Sequence, residues 1–176
     1  VRDTGHGVDV ASENELRQVL DRGMPGERIV LSAAIKPDRL LALAIDHGVT
    51  ISTDTCAEYD RVCAIAEAAG TYGCVAPRLA PNPDTMPPTR FGERLGAWAA
   101  HVSEPRVGAR VVGVHAHLHG YAAQDRSVAL RECMELIDVL RAAGHAPEFI
   151  DIGGGVPMSY LSSEEQWRDY QDAIAA

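Results

Sequence analysis

Lysine is nearly absent from this chain of 176 residues: Lys36 is the single one among 16 basic residues, set against 25 acidic ones, for a net charge of -9. Such a balance argues against nucleic acid or an anionic membrane surface as the main partner. No apolar run approaches the length of a membrane span, and no signal-peptide pattern opens the chain. Cys56, Cys63, Cys74 and Cys133 form no C-x-x-C pair and are too sparse for a disulfide framework, so a reduced, cytoplasmic protein is expected. Cys133 shares helical spacing with Leu130, Ile137 and Leu140 and is expected in the core. No G-x-G-x-x-G fingerprint follows a strand-like run, which leaves a Rossmann fold with little support. An initiator methionine is also missing at Val1, and Ala176 falls inside a helical pattern, so the sequence is expected to continue in both directions.

What the chain does have is alternation. Strand-like runs at 7–12, 28–33, 49–55, 74–80, 110–118 and 149–155 each precede a helical run, in most cases closed by a glycine such as Gly23, Gly48, Gly70 or Gly144. A proline-rich loop, "PNPDTMPPTR", delays the fourth helix. Six βα units in series predict an α/β fold with a parallel sheet and right-handed crossovers, and a partial (β/α)8 barrel is the expected architecture. Ser12 with Glu15 and Thr55 with Glu58 match the capping box, and helix capping is the plain reading of all four.

"GVHAHLHGY" places His115, His117 and His119 at every second position. Side chains alternate faces along a strand, so Val112, Val114, Ala116 and Leu118 suit the layer under the helices while the histidines face the barrel. Residues near the C-terminal end of a barrel strand lie at its active-site face. His115, deepest in the strand, equally suits a hydrogen-bonded core histidine. A metal site could take His115 and His117 with Asp54 or Asp151, which would make the protein a metal-dependent hydrolase. A second chemistry starts from "DIGGGVP": consecutive glycines after a strand let backbone amides cradle a phosphate, and barrels often bind phosphate on their last strands.

The runs "GVDVASENEL", "TDTCAEYDRV", "APRLAPN", "TRFGE", "GVHAHLHG" and "IDIGGGVPMSY" occur in the order and spacing of a known family. From Gly7 to Tyr160 the chain resembles the fold-type III pyridoxal-phosphate decarboxylases, which include diaminopimelate and ornithine decarboxylases. The resemblance implies a pyridoxal 5'-phosphate cofactor, an amino-acid substrate and a homodimer. By position it implies that His117 stacks on the cofactor ring and that Gly153, Gly154 and Gly155, with Gly120, hold the phosphate. Arg78 and Asp9 would line the pocket, and Glu15 and Asp54 match further family positions. The stretch Leu118-His119-Gly120 departs from the family's hydrophobic-Gly-Ser, so a hydroxyl is lost and an imidazole stands where glycine is expected.

On that resemblance, residues 1–176 form the central part of a pyridoxal-phosphate barrel domain, its second to seventh units. The lysine that carries the cofactor is expected upstream, and the acidic partner of the pyridine nitrogen, with a β domain, downstream. Lys36 matches a helix-entry lysine of the family, and an exposed, solvated side chain is expected for it. A racemase-like enzyme and a non-catalytic cofactor-binding module remain alternatives to the decarboxylase.

Overall fold

A computed structural model describes residues 4–82, 84, 88–118, 122–154 and 164–175. Among the described residues, seven parallel strand segments are interspersed with helices. The order is β1 (Val8–Val10), α1 (Glu13–Asp21), β2 (Ile29–Leu31), α2 (Asp38–Asp46), β3 (Thr50–Thr53), α3 (Cys56–Ala68), β4 (Gly73–Pro77) and α4 (Leu95–His101). Then follow β5 (Ala109–Val111), β6 (Gly113–His115), α5 (Ala123–Ala142), β7 (Phe149–Asp151) and α6 (Glu164–Ala175). Of these strands, only β5 and β6 follow one another directly. Strands β1 to β5 pair in sequence order and β6 pairs with β7. Neighbours in this order are parallel throughout, which is the arrangement of an α/β barrel wall.

Local chemistry sets the helix ends. Ser12 and Thr55 cap α1 and α3 by accepting from the amides of Glu15 and Glu58. Pro37 stands at the start of α2, and Gly23, Gly48, Gly70 and Gly144 follow α1, α2, α3 and α5 in the left-handed region. Leu16, Leu41, Val62, Trp98, Leu136 and Leu140, all fully buried, anchor the helices to Leu31, Ile51, Val75, Val111 and Val114 of the strands. Cys133 lies in this core, as its spacing predicts.

The run 110–118 reads as one strand in the sequence but folds as two segments. Val75 of β4 lies opposite Val111, whereas Arg78 lies opposite His115. Three residue steps along β4 are therefore matched by four along its neighbour. The surplus residue is a β-bulge at Val112, whose amide still donates to Val75 O while its carbonyl accepts from the Glu148 amide. Without it, strict alternation would put Val111 and His115 on one face. The bulge lets Val111 and Val114 both join the core and turns His115 to the Arg78 face.

Candidate functional site

Because the strands are parallel, their C-terminal ends gather at one end of the sheet, and the predicted residues gather with them. Asp9 stands on β1, Asp54 just after β3, Arg78 just after β4, His115 and His117 at the end of β6, and Gly153 and Gly154 after β7. His119, Gly120 and Gly155 lie outside the described residues.

Arg78 is the most firmly held of these. Its amide donates to Thr53 O, and its carbonyl accepts from the Glu93 amide and from the indole N–H of buried Trp98 at 2.8 Å. The guanidinium donates to Asp54 Oδ1 at 3.1 Å, and its carbon sits 4.8 Å from the centre of the Phe91 ring. Gly92 completes the R-F-G run for a steric reason. Its φ is +85°, and a Cβ there would come within 2.7 Å of Arg78 O.

His115 is 2 % exposed and its Nδ1 lies 2.6 Å from Ser52 Oγ on β3, across the sheet. His115 is thus a hydrogen-bonded buried residue, and its ring also touches that of His117. The two rings meet edge to face, with centres 6.3 Å apart. His117 is exposed. Gly153 packs against its ring: a Cβ at Gly153, where φ is +70°, would stand 2.5 Å from His117 Nδ1. The Gly153 amide donates to Asp151 Oδ1, so this residue's particular contribution is the absence of a side chain.

Electrostatics sort the groups. Desolvation first, then the guanidinium groups of Arg78 and Arg126, holds His117 below its ordinary pKa. Desolvation raises the Asp9 carboxyl, against a hydrogen bond from Ser32. Burial lowers His115 from 6.5 to about 4, aided by Arg78, His117 and Lys36 and opposed by Asp151. His115 is thus neutral in the fold, and the unfolded chain takes up the proton first. Its stabilising contribution is complete above pH 6.5 and is lost as pH falls toward 4. Urea unfolding at pH 7 and pH 5 should therefore show a smaller stability difference for His115→Gln than for the wild type. Equal differences would place the titration elsewhere.

Lys36 corrects an expectation. It is 1 % exposed, not solvated, and its Nζ lies 2.7 Å from Glu58 Oε2. The general exposure of lysine yields because a carboxylate from a different unit compensates the charge. Glu15, by contrast, is an exposed capping residue: its carboxylate accepts from the Ala11 amide at 2.7 Å. Ser52 and Arg126 belong to the site and were not singled out. A pattern of polar residues facing inward on "TIST" could have pointed to Ser52. Nothing local marks Arg126, which is 2 % exposed and donates to Ile152 O at 3.0 Å and Gly154 O at 2.7 Å from the first turn of α5. Among the described residues, no three His, Cys, Asp or Glu side chains are grouped so as to hold a metal ion, so the further ligands that a hydrolase built on His115 and His117 needs are not gathered there.

The sequence matches the family described as "Pyridoxal-dependent decarboxylase, pyridoxal binding domain" over residues 1–176. It is 34% identical over 162 residues to an uncharacterized protein, y4yA, of Sinorhizobium fredii, a match covering 89% of this chain and 34% of that protein. It is 29% identical over 181 residues to diaminopimelate decarboxylase of Zymomonas mobilis, covering 92% and 42% respectively. The fold is similar to that of diaminopimelate decarboxylase from M. jannaschii in complex with L-lysine, with a TM-score of 0.84 at 24% identity, covering 99% of this chain and 44% of that one. The chain thus spans less than half the length of each. With the family match running its whole length, the chain belongs to the pyridoxal-dependent decarboxylases, as a pyridoxal binding domain.

Proposed function

We propose that this chain holds pyridoxal 5'-phosphate for the decarboxylation of an amino acid of the diaminopimelate, ornithine or lysine class. One observation carries the reading: the His117 ring packs against a glycine that tolerates no Cβ, meets His115 edge to face, and is exposed among the described residues. An imidazole so held suits stacking on a flat heteroaromatic ring. The residues fit the cofactor in charge as well, since Arg78 and Arg126 supply positive charge near the glycine loop that an anionic phosphate needs. Bound there, the cofactor supplies an electron sink for the carbanion left by loss of carbon dioxide.

The chain's own residues bind and orient. His117, whose affinity for a proton is lowered by desolvation and the two guanidinium groups, presents a ring face to the cofactor. His115 and Ser52 hold one another across the sheet. Arg126 ties down the carbonyls of Ile152 and Gly154, and Gly154 leaves open space where a Cβ would project. Asp9, on the first strand, completes the acidic side with Asp151.

The lysine that attaches the cofactor and the acidic partner of its pyridine nitrogen are assigned to segments outside residues 1–176. Two facts support this: the chain spans less than half of its relatives' length, and Lys36 is engaged by Glu58. A homodimer in the cytoplasm completes the reading, in keeping with four free cysteines. The test uses the full-length protein that carries this chain. Pyridoxal phosphate is titrated by absorbance, carbon dioxide release is measured with candidate amino acids, and His117→Ala is compared with His115→Ala. His117→Ala should weaken cofactor binding with little change in Tm, whereas His115→Ala should lower Tm. Equal, small effects on binding would remove His117 from the cofactor. Racemisation without carbon dioxide release would replace the decarboxylase by a racemase.

A further inference from the structure

We propose that Lys36 is a positioning residue of the cofactor pocket, acting through Glu58 and Asp54 to set Arg78. The inference rests on the cofactor reading above. The chain of contacts is continuous. Lys36 Nζ lies 2.7 Å from Glu58 Oε2, and the same oxygen accepts from the Asp54 amide at 2.9 Å. The Asp54 carboxylate in turn accepts from Arg78 at 3.1 Å. Both ion pairs are largely closed to water, with side-chain exposures of 0% and 7% for Lys36 and Glu58, and of 8% and 13% for Arg78 and Asp54.

The fold contains its own control. Helices α1 and α3 open on the same capping box: a hydroxyl accepts the amide three residues on, and a glutamate accepts the amide before the cap. In α1 the glutamate, Glu15, is exposed and performs the capping with no buried cation beside it among the described residues. Capping therefore does not require Lys36. What sets the second box apart is its neighbour, because the residue whose amide Glu58 holds is also the residue that grips Arg78. Two cations and two anions leave this quartet neutral. Removing Lys36 alone leaves the Glu58 carboxylate buried without its partner, and Arg78 is the remaining cation of the quartet that can turn toward it. A guanidinium shared by two carboxylates is drawn away from an anionic ligand.

A double-mutant cycle tests this in the full-length protein, with pyridoxal phosphate affinity as the readout. Wild type, Lys36→Met, Arg78→Met and the double variant are titrated at a temperature where circular dichroism shows each folded. Lys36→Met should weaken binding on the order of tenfold, the scale of losing a supporting residue behind a ligand shell. In the Arg78→Met background the same change should cost nothing further. Losses that simply add, or an unchanged affinity in Lys36→Met, would overturn the proposal and leave the pair a packing device. Should Lys36→Met not fold, Lys36→Met/Glu58→Gln leaves no uncompensated charge and keeps an acceptor for the Asp54 amide. The neutral amide at position 58 does not draw Arg78 aside, so this variant should bind pyridoxal phosphate with near wild-type affinity, and a loss as large as the one expected for Lys36→Met would overturn the proposal. Absence of binding by the unaltered protein is a separate result, which would overturn the cofactor reading and this inference with it.

Discussion

Replacing Gly153 with alanine is expected to weaken pyridoxal phosphate binding roughly thirtyfold, equivalent to about 2 kcal/mol. Two effects combine at this position. Its φ of +70° is strained for any residue with a Cβ, and that Cβ would stand 2.5 Å from His117 Nδ1 and 3.1 Å from Ala116 O. The backbone oxygen cannot yield, so either the loop shifts or the imidazole turns away. The protein without cofactor can relax in this way. Binding must then reverse the relaxation, and affinity falls by that amount. Gly154 offers the contrast. No atom of the described residues lies within 4 Å of a Cβ built there, and its φ is not in the left-handed region. Gly154→Val should leave Tm of the cofactor-free protein nearly unchanged while still lowering affinity, since the side chain enters the space assigned to the phosphate. Calorimetric titration and thermal unfolding of both variants separate the two. Unchanged affinity in Gly153→Ala would show that the ring of His117 is not part of the cofactor site.

Arg126→Met should destabilise the fold by about 3 kcal/mol, a large share of the 5–15 kcal/mol typical of a domain. The guanidinium is buried and satisfies the carbonyls of Ile152 and Gly154, 26 and 28 residues further along the chain. Methionine fills much of the volume but leaves both carbonyls without this donor. Arg126→Lys should recover only part of the loss, because an ammonium is a point charge and does not reproduce the planar fork. Denaturant unfolding gives the stability. Hydrogen exchange at residues 152–154 localises the effect, and unchanged exchange there would mean that Arg126 does not hold the glycine loop. Cofactor binding is expected to fall with loop order.

The βα rhythm, the capping boxes and the glycine stops were all legible in the sequence, because each depends on residues within a few positions of one another. Ser12 and Glu15, or Thr55 and Glu58, meet through one turn of helix. His115 and His117 share a face for the same reason, since alternation is a property of the local backbone. The family resemblance then joined those local signals into one pocket.

Other features needed the tertiary structure. The bulge at Val112 shows only in the strand registers, where the Val112 amide donates to Val75 O on one side while its carbonyl accepts from the Glu148 amide on the other, and no residue of "RVVGVH" announces it. The bond between Ser52 and His115 spans 63 positions and that between Lys36 and Glu58 spans 22. Lys36 shows the reason most plainly. By itself a lysine belongs in water, and only a carboxylate delivered by another βα unit makes its burial possible. Periodicity and capping are properties of a segment, whereas the placement of a buried charge is a property of the partner it meets.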